Sequence, residues 1–266
     1  MSIPVAMIPY ANMAPYRQMG PPQGCHFLAL VPRASIQALM EGRVVAAAVP
    51  VGGLARLGDR VETVGRFGIA AKGPAMSVLL FTQVPFAQMQ APHTLRLTGE
   101  SATSVRLLYL LLGHTVGFGK LPHIAAEKQS PAGELLIGDR ALIKNMAATT
   151  RHEWAHVTDL ARTWFDIHRW PFVFARWVVR SDAPDTLKQE IAGWLDQFRE
   201  RESEFVKRAI PATAEQLHLD EAVIQRYFQA IRRCLDDEDL QGQQLFSSQL
   251  ERFGREPLFQ SSSKTE

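Results

Sequence analysis

The sequence predicts an α/β protein of two lobes with a helical C-terminus. Three observations carry this. Near the N-terminus, short runs rich in β-branched residues alternate with a helical pattern, the mark of parallel strand–helix–strand units. After residue 85 the text turns polar and linker-like, then resumes as a second α/β segment. From Pro184 onward, apolar residues recur at helical spacing. With 266 residues, 46% of them hydrophobic and 21% charged, the chain is long enough to bury a substantial core. The expected organisation is residues 1–85 as the first part of lobe 1, 90–175 as an inserted lobe 2, and 178–266 returning to lobe 1 with the terminal helices.

The elements follow in order. IPVAMIPY (3–10) reads as a strand, turned by Asn12 to Pro15. CHFLALVP (25–32) is a second strand. RASIQALMEG (33–42) places Ile36, Leu39 and Met40 at helical spacing, with Gly42 as its stop. VVAAAVPVGGL (44–54) is a buried strand broken by Pro50, Gly52 and Gly53. IAAKGPAMSVLLFTQVP (69–85) reads as strand with a Gly-Pro break at 73–74.

In the second segment, TLRLTGES is strand and turn, and a helix opens at about Ser101. Residues 113–123 hold three Gly, one Pro and two His, and so read as a loop. GELLIGDRALIKNM (133–146) is a strand, a turn and a short helix. RHEWAHVTDLART (151–163) mixes charge signs and reads as a solvated helix face, and WPFVFARWVVR (170–180) is a long apolar strand. Beyond Pro184, Leu187, Ile191, Trp194, Leu195, Phe198 and Phe205 mark one helix, interrupted at Pro211. Val223, Tyr227, Ile231 and Leu235 mark a second, and Leu245, Phe246 and Phe253 a third. The ending, QSSSKTE, is a short polar tail expected to fray.

Composition excludes several classes. The net charge is only +2, and no basic run resembles a nucleic-acid arm. Two cysteines, Cys25 and Cys234, read as reduced structural thiols. The N-terminal stretch lacks a basic region followed by a long apolar one, so it is not a signal peptide. No apolar run reaches the ~18 residues of a membrane span. A cytoplasmic location is expected.

The chemistry concentrates in GESATSVRLLYLLLG (99–113), where Ser101, Thr103 and Ser104 crowd the start of a buried helix. Two readings stand. A single hydroxyl caps a helix, stabilising it by ~1 kcal/mol. A surplus of hydroxyls, beside free backbone N–H groups and the positive end of the dipole, makes an anion site. Other small polar residues sit where strands give way to helices or turns: Asn12, Ser77 and Asp139. Each has a structural reading: Asn12 as an Asx turn, Ser77 as a small packed residue, Asp139 as a helix cap. Their shared position at strand ends favours a ligand, because open α/β sheets bind there. His152, Glu153 and His156 read H-E-x-x-H, a spacing that would suit two ligands on one helix face, but surface histidines are the structural reading and no metal is expected. GxSxG and the Walker A loop are absent, and V-G-F-G-K-L (116–121) lacks the third glycine of a dinucleotide fingerprint. No cofactor is expected.

PYANMAP (9–15), AAKGPAMSVLLF (70–81), GESATSVRLL (99–108), LLIGDRAL (135–142) and TDLARTWFDIHRWPFVFARWV (158–178) together resemble, in order, the motifs of the chorismate dehydratase family, which opens the futalosine route to menaquinone. The resemblance spans residues ~5–180. It implies a type 2 periplasmic-binding-protein-like fold, a cleft between α/β lobes, and a hydro-lyase acting on chorismate. It implies that Asn12 touches the ring or the leaving hydroxyl, and that Ser77, Ser101, Thr103, Ser104 and Asp139 bind a small carboxylate substrate, in a monomer or homodimer without nucleic-acid or membrane partners. Two departures stand out: Val51 replaces a serine usual after the third strand, and His168-Arg169-Trp170 replaces T-G-L. A non-catalytic cytosolic binding protein for a small carboxylate, or a paralogous enzyme such as dihydroxynaphthoate synthase, is the alternative.

Overall fold

A computed structural model describes residues 2–147 and 150–254; the QSSSKTE ending lies outside them. The chain opens with strand β1 (Ile3–Met7), helix α1 (Ala14–Met19), β2 (Cys25–Ala29), α2 (Pro32–Met40), β3 (Ala46–Pro50) and β4 (Val61–Ala71). It then crosses into β5 (Val78–Thr82), β6 (Thr94–Arg96), α3 (Ala102–Val116), β7 (His123–Ile124), β8 (Gly133–Ile137), α4 (Gly138–Met146), α5 (Thr150–Glu153), β9 (His156–Asp159) and α6 (Leu160–His168). The return is β10 (Phe172–Arg180), followed by α7 (Asp185–Leu217), α8 (Glu221–Ala230), β11 (Arg232–Cys234) and α9 (Asp237–Phe253).

The strands form two sheets, ordered β11-β4-β10-β3-β1-β2 and β7-β6-β8-β5-β9. In the first, β2, β1 and β3 run parallel, as the strand–helix–strand reading requires, and β10 returns antiparallel between β3 and β4. In the second, β7, β6 and β8 are parallel, while β5 runs antiparallel between β8 and β9. Helix α3 is apolar all round, with Leu107, Leu108, Leu110, Leu111 and Leu112 fully buried. Such a helix must be covered on every side. It packs on α6, on α9 and on the 3-10 segment Val51–Arg56 that follows β3.

Several expectations are corrected. The apolar run 69–85 is two strands in different sheets, because the turn after Ala71 carries the chain out of the first sheet. Val78–Thr82, expected within residues 1–85 of lobe 1, therefore pairs in the second sheet; composition cannot say which sheet a buried strand joins. The Asn12–Pro15 turn is a 3-10 turn running directly into α1, helped by Pro15 in its first turn. The supposed loop at 113 begins only at Gly117, since α3 continues to Val116. Residues 156–159 of the supposed solvated helix are an edge strand paired with β5, so His152 and His156 share no helix face. Pro211 does not interrupt α7; the non-helical residue is Arg201. The second terminal helix ends at Ala230, and the chain extends into β11, which pairs with β4.

The terminal helices cement the first sheet. The Tyr16 ring stacks on Phe198 at 3.8 Å between centroids and meets Trp177 and Trp194 at 5.6 Å. Aromatic pairs of this kind contribute roughly 0.5–1.5 kcal/mol beyond their buried area. This cluster ties α1, which carries the first turn of the site, to α7 and β10.

Candidate active site

A cleft of about 530 Å³ of empty space, part of it open to solvent, lies between the two sheets. Its apolar wall is built by Ile8, Ile69, Ile137, Phe174 and Ile231; its polar groups are Asn12, Ser77, Ser101, Ser104 and Tyr10. Four of the six expected site residues thus converge, from β1, β5 and α3. Thr103 and Asp139 do not line the cleft.

At the start of α3 the three hydroxyls divide their work. Ser101 is the N-cap, its Oγ accepting the Ser104 N–H at 3.1 Å. Ser104 Oγ donates to Ser101 Oγ at 3.1 Å. Thr103 turns away: its buried Oγ1 accepts the Gly52 N–H at 2.9 Å, a bond between the β3 turn and α3. Gly52 is required there, because a Cβ would stand 3.0 Å from Thr103 Cα. Arg106 donates to the Gly52 carbonyl from the same helix. One cap, one latch and one further hydroxyl remain, with the first-turn N–H groups of Ala102 and Thr103 lacking intrahelical acceptors.

Asn12 sits in the 3-10 turn Ala11–Met13 after β1. Its Oδ1 is buried and has no hydrogen-bond partner among the described residues, so the Asx-turn reading does not hold. Buried acceptors are nearly always paired, by protein or by water. The backbone beneath it is held: Arg233, itself buried, donates from Nε to the Asn12 carbonyl at 3.2 Å. Asp139 does not cap its own helix. It accepts the Ala11 N–H at 2.7 Å, bonding the β8–α4 junction to the turn that carries Asn12. Burial pushes the Asp139 carboxyl up, opposed by the Ala11 N–H and the Arg17 charge. Gly138, at φ 61°, lies against the Tyr10 ring where a Cβ would come within 2.8 Å. Tyr10 donates its hydroxyl to Glu100 at 3.0 Å, and burial together with that carboxylate keeps the phenol protonated.

Ser77 follows a strained residue. Met76 has φ 61°, and its N–H is held at 2.7 Å by Asp159, the N-cap of α6. A non-glycine residue in this region persists only where its surroundings over-determine it. Burial pushes the Asp159 carboxyl up; N–H groups of Arg162, Met76, Ala75 and Ala161 pull it back. The Ser77 hydroxyl is buried and receives the Tyr227 hydroxyl at 3.0 Å.

The sequence reading missed Tyr10, Phe174 and Ile231, which line the cleft, and Tyr227, which is buried behind Ser77. Topology brings them there, and no local motif marks them. His168–Trp170 lies outside the lining, with His168 packed on Trp164 at 4.1 Å. Val51 also lies outside it, beside Gly52 and Arg106. Among the described residues no three His, Cys, Asp or Glu side chains gather as metal ligands. No helix among them is long and apolar enough to cross a membrane.

The chain matches the family described as menaquinone biosynthesis over residues 3–252. It is 30% identical over 261 residues to the chorismate dehydratase of Thermus thermophilus, covering 91% of this chain and 92% of that protein. Protein AF1704 of Archaeoglobus fulgidus is similar in structure, with a TM-score of 0.65 at 14% identity over 95% of this chain and 98% of that one. So is the periplasmic aliphatic sulphonate binding protein SsuA of Escherichia coli, at 0.63 and 14% identity over 94% and 92%. Likeness at such identity establishes the fold, which is periplasmic-binding-protein-like.

Proposed function

The chain belongs to the menaquinone-biosynthesis family, and from that premise we propose that it is a hydro-lyase converting chorismate to 3-[(1-carboxyvinyl)oxy]benzoate. The observation that carries the reading is the unpartnered Asn12 Oδ1 in an apolar cleft that also receives a capped helix start. Chorismate is a ring with a hydroxyl and two carboxylates. The α3 start suits one carboxylate, with the Ser101 proton, left over because Ser101 Oγ accepts from Ser104, and the free N–H groups of Ala102 and Thr103. Ile69, Ile137, Phe174 and Ile231 provide faces for the ring.

The reaction removes one ring proton and the hydroxyl on the neighbouring carbon. The C–H electron pair becomes a ring double bond, the C–O bond breaks, and hydroxide leaves as water with a proton. Aromaticity drives it downhill. The Asn12 amide suits the leaving group: Oδ1 accepts from the bound hydroxyl and Nδ2 donates to the oxygen as charge develops. Among the described residues lining the cleft, Tyr10 is the one ordinary acid–base group, and its proton is directed to Glu100. The ring proton therefore goes to one of the substrate's own carboxylates, held close by the cleft. The Thermus thermophilus relative's activity supports this reading.

Purified protein incubated with chorismate should yield an aromatic product lighter by one water. Chorismate bound but unchanged would favour a non-catalytic binding protein for a small carboxylate.

A further inference from the structure

The C-terminal segment reaches the site through buried Tyr227, Ile231 and Arg233, and Tyr227 is the one that touches a cleft hydroxyl. Tyr227, on α8, is fully buried, and its hydroxyl lies 3.0 Å from Ser77 Oγ. Ser77 in turn lines the cleft, and Ile231, one turn further on, is part of the wall. A phenol carries one proton and must place it on an acceptor when buried. Ser77 Oγ is the acceptor the structure provides, so the Tyr227 proton points at Ser77. Ser77 then keeps its own proton for another partner. The carbonyl of Ala75 is at 3.4 Å, long for a hydroxyl donor. The cleft is the other direction available.

We propose that Tyr227 is a positioning residue: by donating to Ser77 Oγ it turns the Ser77 proton toward an oxygen of a bound carboxylate. The substrate identity rests on the dehydratase reading, but the positioning applies to any aromatic carboxylate held in the cleft. Burial keeps Tyr227 protonated and therefore a donor at all working pH values. The neighbouring supports agree with a built site. Met76 is pinned by Asp159 immediately before Ser77, and the Gly138 N–H donates to the Ser77 carbonyl at 2.8 Å. These bonds hold the Ser77 backbone, which leaves the direction of its hydroxyl to Tyr227.

The test is a double-mutant cycle with Tyr227→Phe and Ser77→Ala. Benzoate affinity is measured by calorimetry, chorismate turnover in parallel, and thermal melting as a control for folding. Each single variant should weaken benzoate about three- to tenfold, one neutral hydrogen bond's worth. In the Ser77→Ala background, Tyr227→Phe should add nothing further to that loss, since its effect passes through Ser77. In turnover, Tyr227→Phe should raise KM more than it lowers kcat. Additive losses, an unchanged affinity in Tyr227→Phe, or no binding of benzoate by the wild-type protein would overturn the proposal. Should Tyr227→Phe not fold, Ser77→Ala alone decides: unchanged benzoate affinity rejects the Ser77 contact. Wild-type inertness toward chorismate counts against the dehydratase reading alone, because the benzoate cycle is scored without chemistry.

Discussion

Thr103→Val separates a latch from a ligand contact. Valine keeps the shape of threonine and removes one oxygen. That oxygen accepts the Gly52 N–H at 2.9 Å, and Thr103 is 1% exposed. Gly52 is also buried, so its N–H would be left without water or protein acceptor. An orphaned buried donor costs about 1–3 kcal/mol. For chains of about 150–250 residues each kcal/mol moves Tm by roughly 2–4 °C. The expected fall is therefore about 2–12 °C, read by calorimetry, with ligand affinity changed less than threefold at temperatures where the variant is folded. An unchanged Tm together with a tenfold loss of affinity would refute the latch and return Thr103 to the anion site.

Two further substitutions divide the remaining hydroxyl and the buried acid. Ser104→Ala keeps the backbone bond to the Ser101 cap but removes the hydroxyl that turns the Ser101 proton to the cleft, so Tm should hold within roughly 2 °C while affinity for an aromatic carboxylate falls about three- to tenfold; a lowered Tm with normal affinity would make Ser104 structural. Asp139→Asn keeps an oxygen for the Ala11 N–H and removes a buried charge. Burial raises the folded pKa above the unfolded value near ~3.9, so the folded state holds more protons in that window and stability falls as pH rises through it. The variant should lose that part of the slope and melt no lower than wild type at neutral pH, as followed by melting curves across pH; a lower Tm at neutral pH would show that the charge itself supports the fold.

Much of this was legible in the sequence. The alternation of strands and helix at 3–50 and the apolar α3 follow from periodicity, because each buries one kind of face. The convergence of Asn12, Ser101 and Ser104 follows from their place after strands, whereas Ser77, expected at a C-terminal strand end as well, stands at the N-terminal end of β5. What could not be read was direction. Thr103 and Ser104 are neighbours on a helix, yet a rotation of about 100° per residue sends one to Gly52 and leaves the other at the cleft. Asp139 looks like a cap until the fold brings Ala11 to it across 128 residues. The sheet membership of Val78–Thr82 and the extended β11 are likewise set by partners far away in sequence, as are Ile231 at the cleft and Tyr227 behind Ser77.

The central claim, that this cleft dehydrates chorismate with Asn12 at the departing hydroxyl, is tested most directly by steady-state kinetics of the wild-type protein and Asn12→Ala on chorismate, following the aromatic product. Removing one preorganised donor typically costs ~10²–10³ in kcat. The account predicts product from the wild-type protein and a kcat lowered by about that factor in Asn12→Ala, with KM changed far less, because the contact strengthens as the hydroxyl leaves. A KM raised with kcat unchanged, or no product from the wild-type protein at all, would contradict it.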